Sequence, residues 1–282
     1  MMSKDVSFIK GIYVNREYSW IKFNDRVLAQ ATDLGNPLLE RCKFLSIFHS
    51  NFDELFMVRV GSLQSDAKLD PDAAENKTGL TAREQIDGIF DCAKNSYRTA
   101  DAVYAKLKSE LSRNGLKIKT GAELTDKQRK QCKAYFEAQI LPLLSPMVLD
   151  AKHPMIRLEN MNCYMMFELT KSDRLMYGVM AISSKLPRVY RIGGGKKTSI
   201  ITVEELIRTF GATVFDGYKV SSQAMLRLTR NADFDATLDD ADIERDFDFS
   251  KFLKRKVELR GTQDAVRAET RTDGRSGRGF AG

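Results

Sequence analysis

The sequence predicts an α+β fold, with an antiparallel helical bundle followed by a mixed α+β domain. Three observations carry this. Apolar residues keep helical spacing from Trp20 to Leu111. Short runs rich in Met, Tyr, Phe and Val replace that spacing from Asn162 onward. Between them, Asn114-Gly115 is a helix-stop signal. The expected domains are residues 1–115, helical, and residues 116–282, α+β and incomplete at the C-terminal end, with the boundary near Gly115–Gly121.

Taken in order, Trp20, Phe23, Val27, Leu28 and Ala31 define one buried helix face. Gly35-Asn36-Pro37 ends that helix and starts another, with Asn36 as N-cap and Pro37 in the first turn, where its missing N–H is harmless. Leu38, Leu39, Cys42, Leu45 and Phe48 form the next stripe. The chain is expected to restart around Ser50-Asn51, and Leu55, Val58 and Leu63 continue the pattern. Residues 66–79 are polar, contain Pro71 and Gly79, and read as a loop. Thr81 and Glu84 have capping-box spacing. They open a long helix whose stripe is Ile86, Ile89, Ala93, Tyr97, Ala100, Tyr104, Leu107 and Leu111.

Thr125 and Gln128 open a further helix that runs to Pro142. Residues 162–169 and 175–182 form an expected hairpin turning at Lys171-Ser172-Asp173, and 187–192 is a third strand. Thr202 and Glu205 cap a short helix, 220–229 is a strand, 238–255 a helix and 263–270 a last strand. Strands and helices in no regular alternation indicate α+β rather than α/β.

The chain has 282 residues, enough for two domains, with 43% hydrophobic and 29% charged residues, the balance of a soluble globular protein. No apolar run reaches the roughly 18 residues of a membrane span. The start MMSKDVSFIK lacks the apolar stretch of a secretory signal. Cytoplasmic localisation is expected. Cys42, Cys92, Cys132 and Cys163 are scattered, without a CxxC pair or a histidine at metal-ligand spacing, and read as small buried hydrophobes. The net charge of +7 makes an anionic partner plausible. From Lys251 onward nine basic residues stand against four acidic ones, which fits either a solvated terminus or a polyanion contact.

Catalytic motifs are not found. Gly193-Gly194-Gly195-Lys196-Lys197-Thr198 fails as a phosphate loop, because Tyr190 holds the first glycine position and Lys197 follows Lys196. It reads as a loop between two β elements. His153 precedes Pro154 in a turn context, and His49 is placed at a helix end, where an imidazole satisfies free carbonyls. Asp239, Asp240 and Asp242 crowd an expected helix start, where the macrodipole favours them. No catalytic or metal residue is assigned.

A more specific signal lies in REYSWIKFNDRVLAQA followed by NPLLERCKFLSIFHSNFDELFMVRV. Along its whole length this stretch resembles the N-terminal helical domain of the long, multi-domain polyphosphate kinases. Later segments resemble that family's head domain: His153-Pro154, Leu186-Pro187-Arg188-Val189, Thr229 to Asp235, and Asp264-Ala265-Val266-Arg267. The resemblance implies an enzyme that reversibly transfers the terminal phosphate of ATP to polyphosphate through a phosphohistidine. It places that histidine, and the Mg2+ and arginine sites, in C-terminal domains outside this chain. The chain is thus expected to be truncated before its catalytic domains and inactive alone. ATP/ADP and inorganic polyphosphate are the implied partners, with homo-oligomerisation through the head domain; nucleic acid is disfavoured. The same resemblance implies that Asn51, in an SNxDEF-like motif, contacts adenine as a nucleotide-binding residue. Asn51 and Glu54 also have N-cap spacing, so a cap remains the competing role. The alternative function is a non-catalytic module that binds polyphosphate or nucleic acid, or oligomerises.

Overall fold

The structure is a computed structural model that describes residues 13–149, 158–193, 198–231 and 265–272. Backbone contacts divide the chain into two compact units. One comprises Met1–Leu107 with Thr229–Val266, the other Lys108–Leu228 with Arg267–Gly282. The class is α+β, as the patterning predicts.

In the first unit, α1 spans Arg16–Gln30, and Asn15 caps it by accepting from the N–H groups of Glu17 and Tyr18. Its buried face is Glu17, Ile21, Asn24 and Leu28. That differs from the expected stripe: Phe23 is 47% exposed. The helix is rotated so that two polar side chains face inward, because each has partners there. Helix α2 spans Leu38–Glu54 and buries Arg41, Leu45, Phe48 and Phe52, leaving Leu39 exposed. Pro37 occupies the cap position, and Asn36 donates to the Gln30 carbonyl instead of capping.

The expected restart at Ser50-Asn51 does not occur. Helix α2 continues directly into a π-helical stretch, Leu55–Val60, and then α3, Gly61–Leu69. The wider π turn puts adjacent Leu55 and Phe56 in the core together with Val60. The loop therefore begins at Asp70 and not at Asp66. The capping box at Thr81 and Glu84 is present, with both reciprocal bonds formed. Helix α4 runs from Ala82 to Arg113. Its core residues include Ile86, Ile89, Phe90, Ala93, Tyr97 and Ala100, whereas Tyr104 faces solvent. Gly115, at φ +89°, provides the left-handed residue that ends it. Asn231 packs against Gly61 so closely that a Cβ there would lie 2.1 Å from the Asn231 carboxamide oxygen.

The second unit contains two sheets. Strand β1 (Leu116–Ile118) pairs in parallel with β6 (Thr198–Thr202), which pairs antiparallel with β5 (Val189–Ile192). Gly193–Lys197 thus links two strands, and Gly194–Lys197 lie outside the described residues. The larger sheet is ordered β2-β4-β3-β7-β8, with β2 Pro146–Leu149, β3 Cys163–Lys171, β4 Arg174–Ile182, β7 Lys219–Arg230 and β8 Ala265–Thr272. The hairpin at Ser172-Asp173 forms as expected, with both residues at positive φ. Helix α5 (Asp126–Tyr135) is capped by Thr125 and Gln128 and extends through π and 3-10 turns to Leu143. Helix α6 (Val203–Phe210) is capped by Thr202.

Strand alternation sends Met165, Phe167 and Leu169 to one face, where they meet Phe136, Ile140, Leu206, Ile207 and Phe210. Tyr164, Val179 and Leu226 form a smaller cluster with Leu158. Burial of this apolar surface is the main force holding the unit together. His153, Asp239, Asp240, Asp242 and the expected helix over 238–255 lie outside the described residues.

Candidate functional site

Asn51, the one residue singled out as a ligand contact, lies in the last turn of α2, which runs on without a break into the π-helical stretch. The cap reading is excluded because the residue is inside a helix and not ahead of one. Its carboxamide nitrogen donates to Asn24 Oδ1 at 2.8 Å. Asn24 is fully buried, and its own nitrogen donates to the Phe48 carbonyl at 3.0 Å. One α1 side chain therefore bridges Phe48 and Asn51, a turn apart on α2. A buried amide is tolerated there because it is hydrogen-bonded on both sides.

Among the described residues, nothing donates to Asn51 Oδ1. The one buried side-chain N or O left without a partner among them is Gln223 Oε1, so Asn51 Oδ1 is accessible to solvent. Asn51 is half-buried, with an acceptor and one remaining N–H free to meet a ligand.

Aromatic rings hold this turn rigid. Phe52 meets Phe48 edge-on at 5.0 Å, Tyr97 at 4.9 Å and Trp20 at 6.3 Å between centroids. His49 is stacked on Tyr97 at 5.6 Å, inside α2 and not at the helix end where its carbonyl-capping role was expected. It is part of this aromatic wall.

A second polar group lies on the same helices. Glu17, with its side chain 4% exposed, receives Arg59 Nη2 at 2.6 Å and Nε at 3.2 and 3.3 Å, and Arg16 Nε at 2.8 Å. Asn15 spans this region, bonding Gln85 Oε1 at 2.8 Å. A carboxylate so deeply placed is held by the forked guanidinium. The cleft beside it, about 540 Å³, is lined by Arg16, Glu17, Asp66, Asp70, Glu75 and Gln85 among others. An apolar groove of about 670 Å³ lies between α1 and α4, with Tyr18, Ile21, Leu28, Cys92 and Val103 along it.

Reactive groups are scarce among the described residues. Burial pushes the Cys92 thiol up, assisted by Asp25 and Asp91, and burial also pushes up Cys132, so neither has thiolate character. No three His, Cys, Asp or Glu side chains among the described residues are grouped to hold a metal. Among those residues, no helix is long and apolar enough to cross a membrane.

Sequence reasoning singled out Asn51 and did not single out Asn24, Glu17 or Arg59. The available signal was the two polar members of the α1 stripe: Glu17 and Asn24 share a face with Ile21 and Leu28 once Phe23 is turned outward.

Comparison with known proteins agrees with this architecture. Residues 13–119 match the polyphosphate kinase N-terminal domain and residues 127–276 the polyphosphate kinase middle domain. The chain belongs to the polyphosphate kinase family. It is 37% identical over 264 residues to a polyphosphate kinase of Staphylococcus haemolyticus, covering 94% of this chain and 36% of that protein. It is 39% identical over 226 residues to that of Halalkalibacterium halodurans, covering 78% of this chain and 32% of the relative. A crystal structure of polyphosphate kinase from Porphyromonas gingivalis superposes with a TM-score of 0.69 at 24% identity, over 78% of this chain and 33% of that one, and supports the fold. The chain spans about a third of the length of the relatives it matches.

Proposed function

We propose that this chain supplies the nucleotide-side scaffold of an ATP:polyphosphate phosphotransferase. The observation that carries this is the family match across both domains, residues 13–119 and 127–276. In this reading the expected domains, residues 1–115 and 116–282, divide the labour: the helical part offers Asn51 to adenine, and the α+β part mediates self-association in the cytoplasm. Exclusion of the cap role and the solvent access of Asn51 Oδ1 support the adenine contact. An amide meets a base edge well because it offers a donor and an acceptor together. Phosphoryl transfer to polyphosphate, its phosphohistidine and its Mg2+ ligands are assigned to sequence outside these 282 residues. The described residues present no group of three carboxylate, histidine or cysteine side chains for the metal.

Calorimetric titration of ATP into the 282-residue chain tests the contact. Saturable binding, weakened about tenfold by Asn51→Ala, is expected from the loss of one hydrogen-bonding side chain. Unchanged affinity in that variant would remove Asn51 from the site. Polyphosphate synthesis by the chain alone would overturn the assignment of catalysis to sequence outside it. Light scattering over a concentration series tests self-association, and a strict monomer throughout would refute it.

A further inference from the structure

We infer that Asn24 is a positioning residue that fixes which edge of the Asn51 amide faces the ligand, and so selects an amino-bearing purine over an oxo-bearing one. The inference rests on Asn51 being a nucleotide contact, and extends that reading to a residue with no ligand contact of its own.

A backbone carbonyl can only accept a hydrogen bond. Asn24 approaches the Phe48 carbonyl at 3.0 Å, so the Asn24 atom there must be its nitrogen. The Asn24 oxygen is thereby turned to Asn51, and at 2.8 Å it requires a donor, which only the Asn51 nitrogen provides. The Phe48 carbonyl belongs to α2 itself, so the chain Phe48 O, Asn24, Asn51 is anchored at both ends on one helix. Full burial of Asn24 removes competing water, and the reverse orientation of Asn51 would oppose two oxygens.

Asn51 then meets an incoming base with Oδ1 and one N–H. A 6-aminopurine offers an amino donor beside a ring-nitrogen acceptor, the complement of that pair. A 6-oxopurine presents the reverse pair on its N1 edge, an oxygen acceptor beside a ring N–H donor, so Oδ1 would face an oxygen and the amide N–H a second N–H. An unanchored Asn51 would lose this discrimination, since a free carboxamide rotates to suit either base.

The test measures ATP and GTP binding to the full chain, in the wild type, Asn24→Leu and Asn51→Ala. Asn24→Leu keeps the branching of the side chain while removing its polar atoms, and leaves the Phe48 carbonyl in its helical hydrogen bond. A preference for ATP of about tenfold or more is expected in the wild type. In Asn24→Leu the ratio should fall to within about threefold, mainly through tighter GTP binding. If Asn51→Ala weakens ATP binding while Asn24→Leu keeps the wild-type ratio, the positioning role is overturned and the Asn51 contact stands. If Asn51→Ala changes nothing, or the wild type binds neither nucleotide, the contact reading falls and this inference with it. Side-chain amide exchange in the ligand-free wild type gives an arm that needs no variant to fold. One Asn51 Nδ2 proton should exchange slowly; both exchanging at the solvent rate would overturn the proposal.

Discussion

Replacing Phe52 by alanine should unfold the first unit more readily than any other single truncation in its aromatic wall. Phe52 is fully buried and contacts Trp20, Phe48, Phe56 and Tyr97, with centroids between 4.9 and 6.3 Å. Removing a buried phenyl ring costs about 3–5 kcal/mol, including the cavity left behind. Four ring partners, each worth about 0.5–1.5 kcal/mol beyond area, place the expected value near the upper half, about 4 kcal/mol. With a urea dependence of about 2 kcal/mol per molar, the midpoint should fall by about 2 M. The assay is built into the molecule: its single tryptophan is Trp20, which packs against Phe52. Its fluorescence therefore reports this core, and circular dichroism follows both units. Phe52→Leu keeps most of the volume and should cost about 1.5 kcal/mol. A fluorescence midpoint lowered by less than about 0.5 M in Phe52→Ala, with unchanged slope, would refute this account of the core.

Three further outcomes are expected. The backbone and hydroxyl of Thr81 hold the Glu84 carboxyl below its usual range. The cap's contribution is therefore complete above the ordinary carboxylate pKa and lost as pH falls through the lowered value. Carbon-detected NMR titration should show Glu84 moving back toward the usual range in Thr81→Val, and an unchanged titration would contradict the cap. Gly121→Ala would place a Cβ 2.1 Å from Thr209 Oγ1, so it should destabilise the second unit by about 1–3 kcal/mol, with partial rescue in the double variant with Thr209→Ala. Additive losses in thermal denaturation would deny that this contact is the cause. Ser172 and Asp173 have φ of 48° and 60°. Exchanging them for Asn-Gly should raise stability by about 1 kcal/mol, measured by chemical denaturation, because that dipeptide suits a left-handed two-residue turn.

The local devices were legible where the chemistry is local. Thr81 with Glu84, Thr125 with Gln128 and Thr202 with Glu205 each satisfy backbone groups within one turn. Their spacing alone specifies them. The same holds for the β3–β4 hairpin, whose strands are joined by two residues. Strands β1 and β2 were not anticipated, since they span three and four residues and pair with strands distant in sequence.

Asn51 shows the division most clearly. The sequence by itself determined the family motif, the helical context and a short list of roles for one asparagine. It could not separate a cap from a ligand contact, because N-cap spacing is satisfied locally whether or not the helix starts there. Tertiary structure removed the cap by continuing α2 past this position, and it supplied Asn24 as a partner from 27 residues away. It likewise turned Phe23 outward, brought Arg59 to Glu17 and returned Asn231 to Gly61. Hydrophobic spacing specifies that one helix face is buried. Which neighbouring face wins depends on whether the polar side chains along it find partners, and those partners exist only once the chain has folded.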